Sequence, residues 1–199
     1  VLKEGLYEDA ERKEALLDLC RFSTNENDDP ISLSGYVEKM PEKQKDIYYI
    51  SAETKDQALA SPHLEGFKSK KIPVLIMTDA IDQFWLPMVG SFKEKKFTSI
   101  TQGQINLDDL DEKNKDKKKD DKNEKEKKDK EYVDLVAQLK VVLGDQVKDI
   151  RLSSKLTDSP VCLVADEGDM DIAMEQLMAQ RDTNLSLIHI SEPTRPSQI

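Results

Sequence analysis

Ile47-Tyr48-Tyr49-Ile50, Pro73-Val74-Leu75-Ile76-Met77 and Phe97-Thr98-Ser99-Ile100-Thr101 are three short β-type runs, and the stretch that holds them, residues 47–101, decides the fold. Each run is rich in β-branched, aromatic or aliphatic side chains and too short for a helix of its own. The middle run is apolar throughout, the pattern of a strand buried on both faces. Between the first two runs lies a helical stretch broken at Ser61-Pro62, where Ser is a fresh N-cap and Pro the first helical residue. Between the second and third, Asp79 caps a helix carrying Ile81, Phe84, Trp85 and Met88. Pro87 kinks or ends that helix because it lacks the N–H for the backward hydrogen bond. Asp79 and Asp82 are paired acids at helical spacing, and capping accounts for them. Strand–helix–strand–helix–strand implies a small α/β layer with parallel pairing.

Upstream of this layer, Glu8 and Asp9 suit a helix N-terminus, and Leu16, Leu17, Leu19 and Cys20 gather on the apolar side of a helix over Asp9–Phe22. Ser23-Thr24-Asn25 and Asp28-Asp29-Pro30 end it. Ser32 caps a shorter helix through Tyr36, Val37 and Met40. Downstream, Gly103–Lys130 reads as a solvated, mobile connector. Lys113–Lys130 is entirely charged or Asn, with ten Lys against six acids. Order returns at Glu131, where Tyr132, Val136, Leu139 and Leu143 fall at helical spacing and Gly144 is a C-terminal stop. Asp149–Ser153 and Val161–Ala165 read as strands. Asp169–Gln180 reads as an amphipathic helix with Met170, Met174, Leu177 and Met178 on one side, and Asp171 and Glu175 on a solvated side. Leu185–Ile199, LSLIHISEPTRPSQI, resembles translated sequencing-adapter DNA and is set aside as non-native.

The expected fold class is therefore α/β (α+β overall): short helices, a small three-layer α/β unit, a charged linker, then a second small α/β piece. The divisions are 1–46, helical; 47–102, the α/β unit; 103–130, the linker; 131–184, the second piece; and 185–199, the tail. The composition agrees. Of 199 residues 37% are hydrophobic and 35% charged, which suits folded pieces joined by a solvated segment. The net charge is −10; the Lys-rich run contributes +4, so the remainder carries −14, an acidic surface that argues against nucleic-acid binding. No apolar run approaches the roughly 20 residues of a membrane span. Cys20 and Cys162 are far apart in apolar runs, so both are expected reduced, as in a cytoplasm. With two scattered His they make no zinc pattern. The chain starts at Val1 directly before a helical pattern, so an internal piece of a longer protein is expected.

Catalytic constellations are weak. Gly never occurs as GxGxxG or GxxxxGK[ST], and no GxSxG is present. His63 has no nucleophile near it in sequence and reads as a surface or half-buried His. Two apolar features carry a functional reading. Phe84 and Trp85 are adjacent on a helix, so they diverge by about 100° and one is free to face outward. The Met stripe is either core or an adaptable surface, since thioether chains fit many partners. Three function classes follow: a binding surface for unfolded chain, a small α/β nucleotide enzyme, and a nucleic-acid binder acting through Lys113–Lys130.

Four groups of residues resemble one family. They are Glu8-Asp9 with Arg12-Lys13 and Arg21-Phe22-Ser23; Ser32-Leu33, Tyr36 and Gln44–Ile50; Ser61-Pro62-His63-Leu64-Glu65 with Val74-Leu75, Ile81-Asp82 and Phe97–Gln102; and Leu143-Gly144, Val147–Leu152 and Leu156-Thr157-Asp158-Ser159-Pro160. In this order they resemble bacterial chaperones of the heat-shock protein 90 family over roughly residues 1–180. The resemblance implies that Val1–Thr101 ends a middle domain and Glu131–Gln180 begins a C-terminal domain. It implies that ATP and Mg belong to parts absent here, so this piece has no cofactor and no ATPase activity. It implies a homodimeric parent whose dimer helices lie further on, so this piece is expected monomeric. The implied partners are partly folded client proteins, held by Gln83, Phe84, Trp85, Met170, Met174, Leu177 and Met178.

Overall fold

The structure, a computed structural model, describes all residues except 1, 10, 28, 42, 104, 106, 108–119, 145–146, 154, 167–168 and 180–199; for residues 7 and 120–131 it describes the backbone alone. The helices are α1 (Leu2–Glu8), α2 (Lys13–Leu19), α3 (Leu33–Lys39), α4 (Lys55–Ala60), α5 (Glu65–Ser69), α6 (Asp82–Val89) and α7 (Asp120–Leu143), followed by α8 over 172–179; a 3-10 turn at Pro62–Leu64 leads into α5. The strands are β1 (Ser23–Thr24), β2 (Ile47–Ser51), β3 (Leu75–Met77), β4 (Ser91–Phe92) and β5 (Lys95–Ser99), in spatial order β1-β3-β2-β5-β4.

The three expected strands form, and they pair in parallel: Tyr49 stands opposite Leu75 on one side and Ser99 on the other. The two-residue strands β1 and β4 add antiparallel edges. Side chains alternate between faces as the two-residue period of a strand requires. Ile47, Leu75, Met77 and Phe97 join Leu6, Leu17, Tyr36 and Trp85 on one face, while Tyr48, Ile50, Val74 and Ile76 join Ala58, Leu64 and Phe67 on the other. Helices therefore cover both faces, which is the condition for a buried parallel sheet. The α/β character and the three layers stand as expected.

Local expectations fare unevenly. Ser32 caps α3 by accepting the Gly35 N–H at 3.1 Å, and Ser61 caps the 3-10 turn. α6 runs past Pro87 to Val89 and ends at Gly90, whose φ of +68° is open to glycine. α7 stops at Leu143 before Gly144, again at positive φ. The helix expected over Asp9–Phe22 is shorter, α2 at Lys13–Leu19, and a separate helix, α1, precedes it. Asp9 Oδ1 accepts the N–H groups of Glu11 and Arg12, which turns the chain between α1 and α2. Leu19, expected on the apolar side, is exposed.

Segments 1–46 and 47–102 share a core, since β1 lies in the sheet and α1 to α3 form one of its covering layers. The connector expected from Gly103 begins later, since Leu107 is buried and Ile105 packs beside it in the second core. α7 starts at Asp120, inside that connector; residues 108–119 and the tail 185–199 lie outside the described residues. Asp149–Ser153 and Val161–Ala165 are not strands; apart from one bridge between Gln102 and Ala165, they run as irregular chain. Among the described residues that bridge is their one strand-like pairing, with the Ala165 N–H donating to the Thr101 carbonyl and the Gly103 N–H to the Ala165 carbonyl.

Candidate functional site

The seam between the α/β unit and residues 155–171 is where the structure gathers polar side chains. Glu65, first residue of α5, points its carboxylate across this seam. Oε2 accepts the backbone N–H groups of Thr157, Asp158 and Ser159 at 2.8, 3.0 and 3.2 Å, and Oε1 accepts the Ser159 hydroxyl. Consecutive N–H groups turned toward one anion form a nest, here filled by the chain's own carboxylate. Two stretches from the resemblance, 61–65 and 156–160, thus meet in space. Next to Glu65, Gly66 lets the chain approach: a Cβ there would sit 2.7 Å from both the Lys155 carbonyl oxygen and Leu107 Cδ1. His63 is buried at the same seam. Burial first, and then the positive charge of Lys155, push its pKa below the ordinary value. Lys155 itself is 8% exposed, and burial lowers its pKa.

Donation by the Ser159 hydroxyl and the Asp158, Thr157 and Ser159 N–H groups lowers the Glu65 pKa from 4.5 to about 2. A carboxylate depressed in the folded state stabilises above its unfolded pKa and loses that contribution as pH falls through the folded value. Protection of the Thr157, Asp158 and Ser159 amides against hydrogen exchange is therefore expected to fall between about pH 4.5 and about pH 2. Glu65→Gln is expected to flatten that dependence. An unchanged profile in the variant would show that another group holds the nest.

Asp171 makes the second crossing. Its Oδ2 accepts the Ser99 hydroxyl at 2.5 Å and the Thr101 hydroxyl at 2.8 Å, while Oδ1 accepts the Ala173 N–H at 2.9 Å and so caps α8. The sequence pattern expects Asp171 in solvent; docking overrides it because two buried hydroxyls at the end of β5 require an acceptor. Burial, then the Asp171 charge, raise the nearby Tyr49 pKa to about 12. The bridge between Gln102 and Ala165 and a bond from Gln102 Nε2 to the Asp169 carbonyl complete the attachment.

α8 thereby hangs from the strand end, and its Met stripe stays outside both core clusters among the described residues. Met170, just before the helix, is 49% exposed and Met178 is 43% exposed; Met174 and Leu177 are half-buried. Side chains packed into a core do not keep that much surface.

The aromatic pair divides as its 100° separation requires. Trp85 is 0% exposed. Its ring meets Phe97 edge-on at 5.7 Å and Phe22 at 6.1 Å, and its Nε1–H donates to Asp82 Oδ1 at 2.7 Å. Of the two rings, Trp85 has no exposed surface in this structure and Phe84 does. Phe84 is 38% exposed and Gln83 half-buried. Met88, four residues on and exposed, extends the Phe84 face of α6; the i, i+4 spacing was the signal for it. Among the described residues no hydrogen bond, ion pair or ring contact joins Gln83 or Phe84 to Met170, Met174, Leu177 or Met178.

Asp82 is not the simple cap its spacing suggests. Fully buried, it accepts Trp85 Nε1–H and the Asp79 N–H, and pairs with Lys3 at 2.9 Å, while Lys3 reaches Asp79 at 2.6 Å. Among the described residues no group of His, Cys, Asp and Glu could hold a metal ion, and no helix is long and apolar enough to cross a membrane. At the carboxyl end of β5, where an open α/β sheet would hold a nucleotide, Asp171 takes up the Ser99 and Thr101 hydroxyls.

Comparison with known proteins follows the same residues. Residues 1–192 match the family model described as Hsp90 protein, a match that extends past residue 184. A chaperone protein HtpG of Roseobacter denitrificans is 46% identical over 178 residues, 89% of this chain and 28% of its own length. One from Psychromonas ingrahamii is 44% identical over 183 residues, 90% of this chain and 28% of its own length. One from Mycolicibacterium vanbaalenii is 44% identical over 179 residues, 89% of this chain and 27% of its own length. The solved middle domain of a Plasmodium falciparum heat shock protein overlaps 51% of this chain, and 43% of its own, at 36% identity and a TM-score of 0.48. The chain thus spans little more than a quarter of the length of these curated relatives.

Proposed function

Because the chain belongs to the Hsp90 protein family, a family of chaperones, we propose that this stretch is the client-holding part of an ATP-dependent molecular chaperone. The observation that carries the reading is the Met170, Met174, Leu177 and Met178 stripe, held at the surface by polar attachments and absent from both cores. Flexible thioether chains adapt to unlike apolar segments at little strain, so such a stripe takes up partly folded chain without demanding one sequence. Gln83 and Phe84 supply a second patch, and Trp85 braces it from beneath. Binding is non-covalent, driven by removing apolar surface from water.

ATP and Mg act in the remainder of the full-length protein, which works as a homodimer; this stretch neither hydrolyses ATP nor dimerises. Two free thiols fit a reducing cytoplasm. The test is titration of the 199-residue chain with a permanently unfolded protein, reduced and carboxymethylated α-lactalbumin, followed by fluorescence anisotropy. Saturable binding is expected, with none to native α-lactalbumin. Equal binding to both forms, or to neither, contradicts the reading. A parallel ATP titration is expected to show no binding, which separates this function from a nucleotide enzyme.

A further inference from the structure

We propose that Glu65 and Asp171 are paired positioning residues, two carboxylates that hold residues 155–179 against the α/β unit and so fix where the Met stripe stands. The inference rests on the reading of that stripe as a client surface. Neither residue belongs to the stripe.

The geometry carries it. The carboxylates cross the seam in opposite directions: Glu65 reaches out from α5 to the 157–159 backbone, and Asp171 reaches back from α8 to the end of β5. Between the two anchor points, Val161, Leu163 and Val164 are exposed. Neither core cluster contains a described residue from 155–179. The segment is therefore attached by polar contacts, not by a shared apolar core. Hydrogen bonds exchanged for water contribute little net free energy each, so this seam opens more readily than the sheet beneath it. Opening frees α8 from Ser99 and Thr101 and changes the direction in which Met170, Met174 and Met178 are presented. The nest at 157–159 supplies a defined docked state, and its loss a defined released one.

Two cysteines and one tryptophan make the two states separable. Cys162, half-buried, lies between the anchor points, whereas Cys20 and Trp85 lie in the core on one face of the sheet. The experiment is pulsed thiol labelling of the 199-residue chain, read site by site by mass spectrometry, with Trp85 fluorescence recorded alongside. Glu65→Gln and Asp171→Asn are each expected to speed Cys162 labelling at least fivefold, leaving Cys20 labelling and Trp85 emission unchanged. Glu65→Asp, which keeps the charge on a shorter arm, is expected to fall between Glu65→Gln and the original chain. Both neutral variants are expected to change the affinity for reduced, carboxymethylated α-lactalbumin at least threefold. Unchanged Cys162 labelling in both variants overturns the proposal. Cys20 and Cys162 labelling rising together, with a red shift of Trp85, overturns it as well, because the role is then general stability. Faster Cys162 labelling with unaltered client affinity overturns the positioning role. Absence of binding by the unsubstituted chain overturns the client reading of the stripe, and the thiol result still judges the clasp separately.

Discussion

Replacing Trp85 with Ala is expected to destabilise the α/β unit by about 3–5 kcal/mol, while Phe84→Ala, one residue earlier, is expected to change it by about 1 kcal/mol or less. The difference comes from burial. Trp85 is fully enclosed, with Phe97 and Phe22 against its ring, whereas Phe84 keeps 38% of its surface. Truncation removes the ring from the centre of the core and leaves a cavity that neighbours on the sheet cannot fill. It also leaves Asp82 Oδ1, fully buried, without the indole N–H it accepts, and an unsatisfied buried acceptor adds to the loss. Against a typical domain stability of about 5–15 kcal/mol this is a large fraction. Urea unfolding followed by circular dichroism checks it. A Trp85→Ala midpoint equal to that of the original chain would mean that the ring does not fill the core.

The second large effect concerns binding. Met170→Gln, Met174→Gln and Met178→Gln together are expected to weaken binding of an unfolded client about tenfold or more, with the urea midpoint nearly unchanged. Full burial of a Met side chain contributes about 1.5–3 kcal/mol. Here each Met is already part-covered, so less remains to be gained on contact. Tenfold corresponds to about 1.4 kcal/mol, well within what three half-exposed thioethers contribute jointly. If the stripe were core, truncation to Ala would instead cost roughly 2–5 kcal/mol at each position, and the melt would report it. Loss of folding in the Gln variant, with binding lost only in proportion, would contradict the surface role.

What the sequence revealed, and what it concealed, follows the range of the interactions. The runs 47–50, 73–77 and 97–101 marked β2, β3 and β5, though with shifted ends, because they are short and rich in β-branched, aromatic or aliphatic residues. Ser32, Ser61 and Gly144 were legible because caps act within a few residues. The local bond from the Asp79 N–H to Asp82 was legible in their spacing, but the pairing of Asp82 with Lys3 was not, because Lys3 stands 79 positions away. Asp149–Ser153 and Val161–Ala165 carry a strand-like composition, yet among the described residues they pair with a strand only through the Ala165 bridge, and the loop between them is held at 157–159 by Glu65, more than 90 residues upstream. Asp171 follows the solvated rhythm of its helix, and only the hydroxyls of Ser99 and Thr101 explain why it docks. The Met stripe was legible as a face, but whether that face is core or surface depends on what packs there. Which of Phe84 and Trp85 is exposed was likewise a matter of direction, set by where Phe22 and Phe97 lie.

The six methionines allow the central claim to be tested in one measurement. With 13C-labelled Met ε-methyl groups, the 199-residue chain gives a separate probe at each. Met77 is buried in the sheet, Met40 packs beside that core, Met88 is exposed on α6, and Met170, Met174 and Met178 form the stripe. On titration with reduced, carboxymethylated α-lactalbumin, the Met170, Met174 and Met178 resonances are predicted to shift or broaden with one common affinity. Met88 is predicted to respond with them where client reaches the Phe84 patch, while Met77 stays fixed. Client binding that leaves all three stripe resonances unmoved would contradict the account.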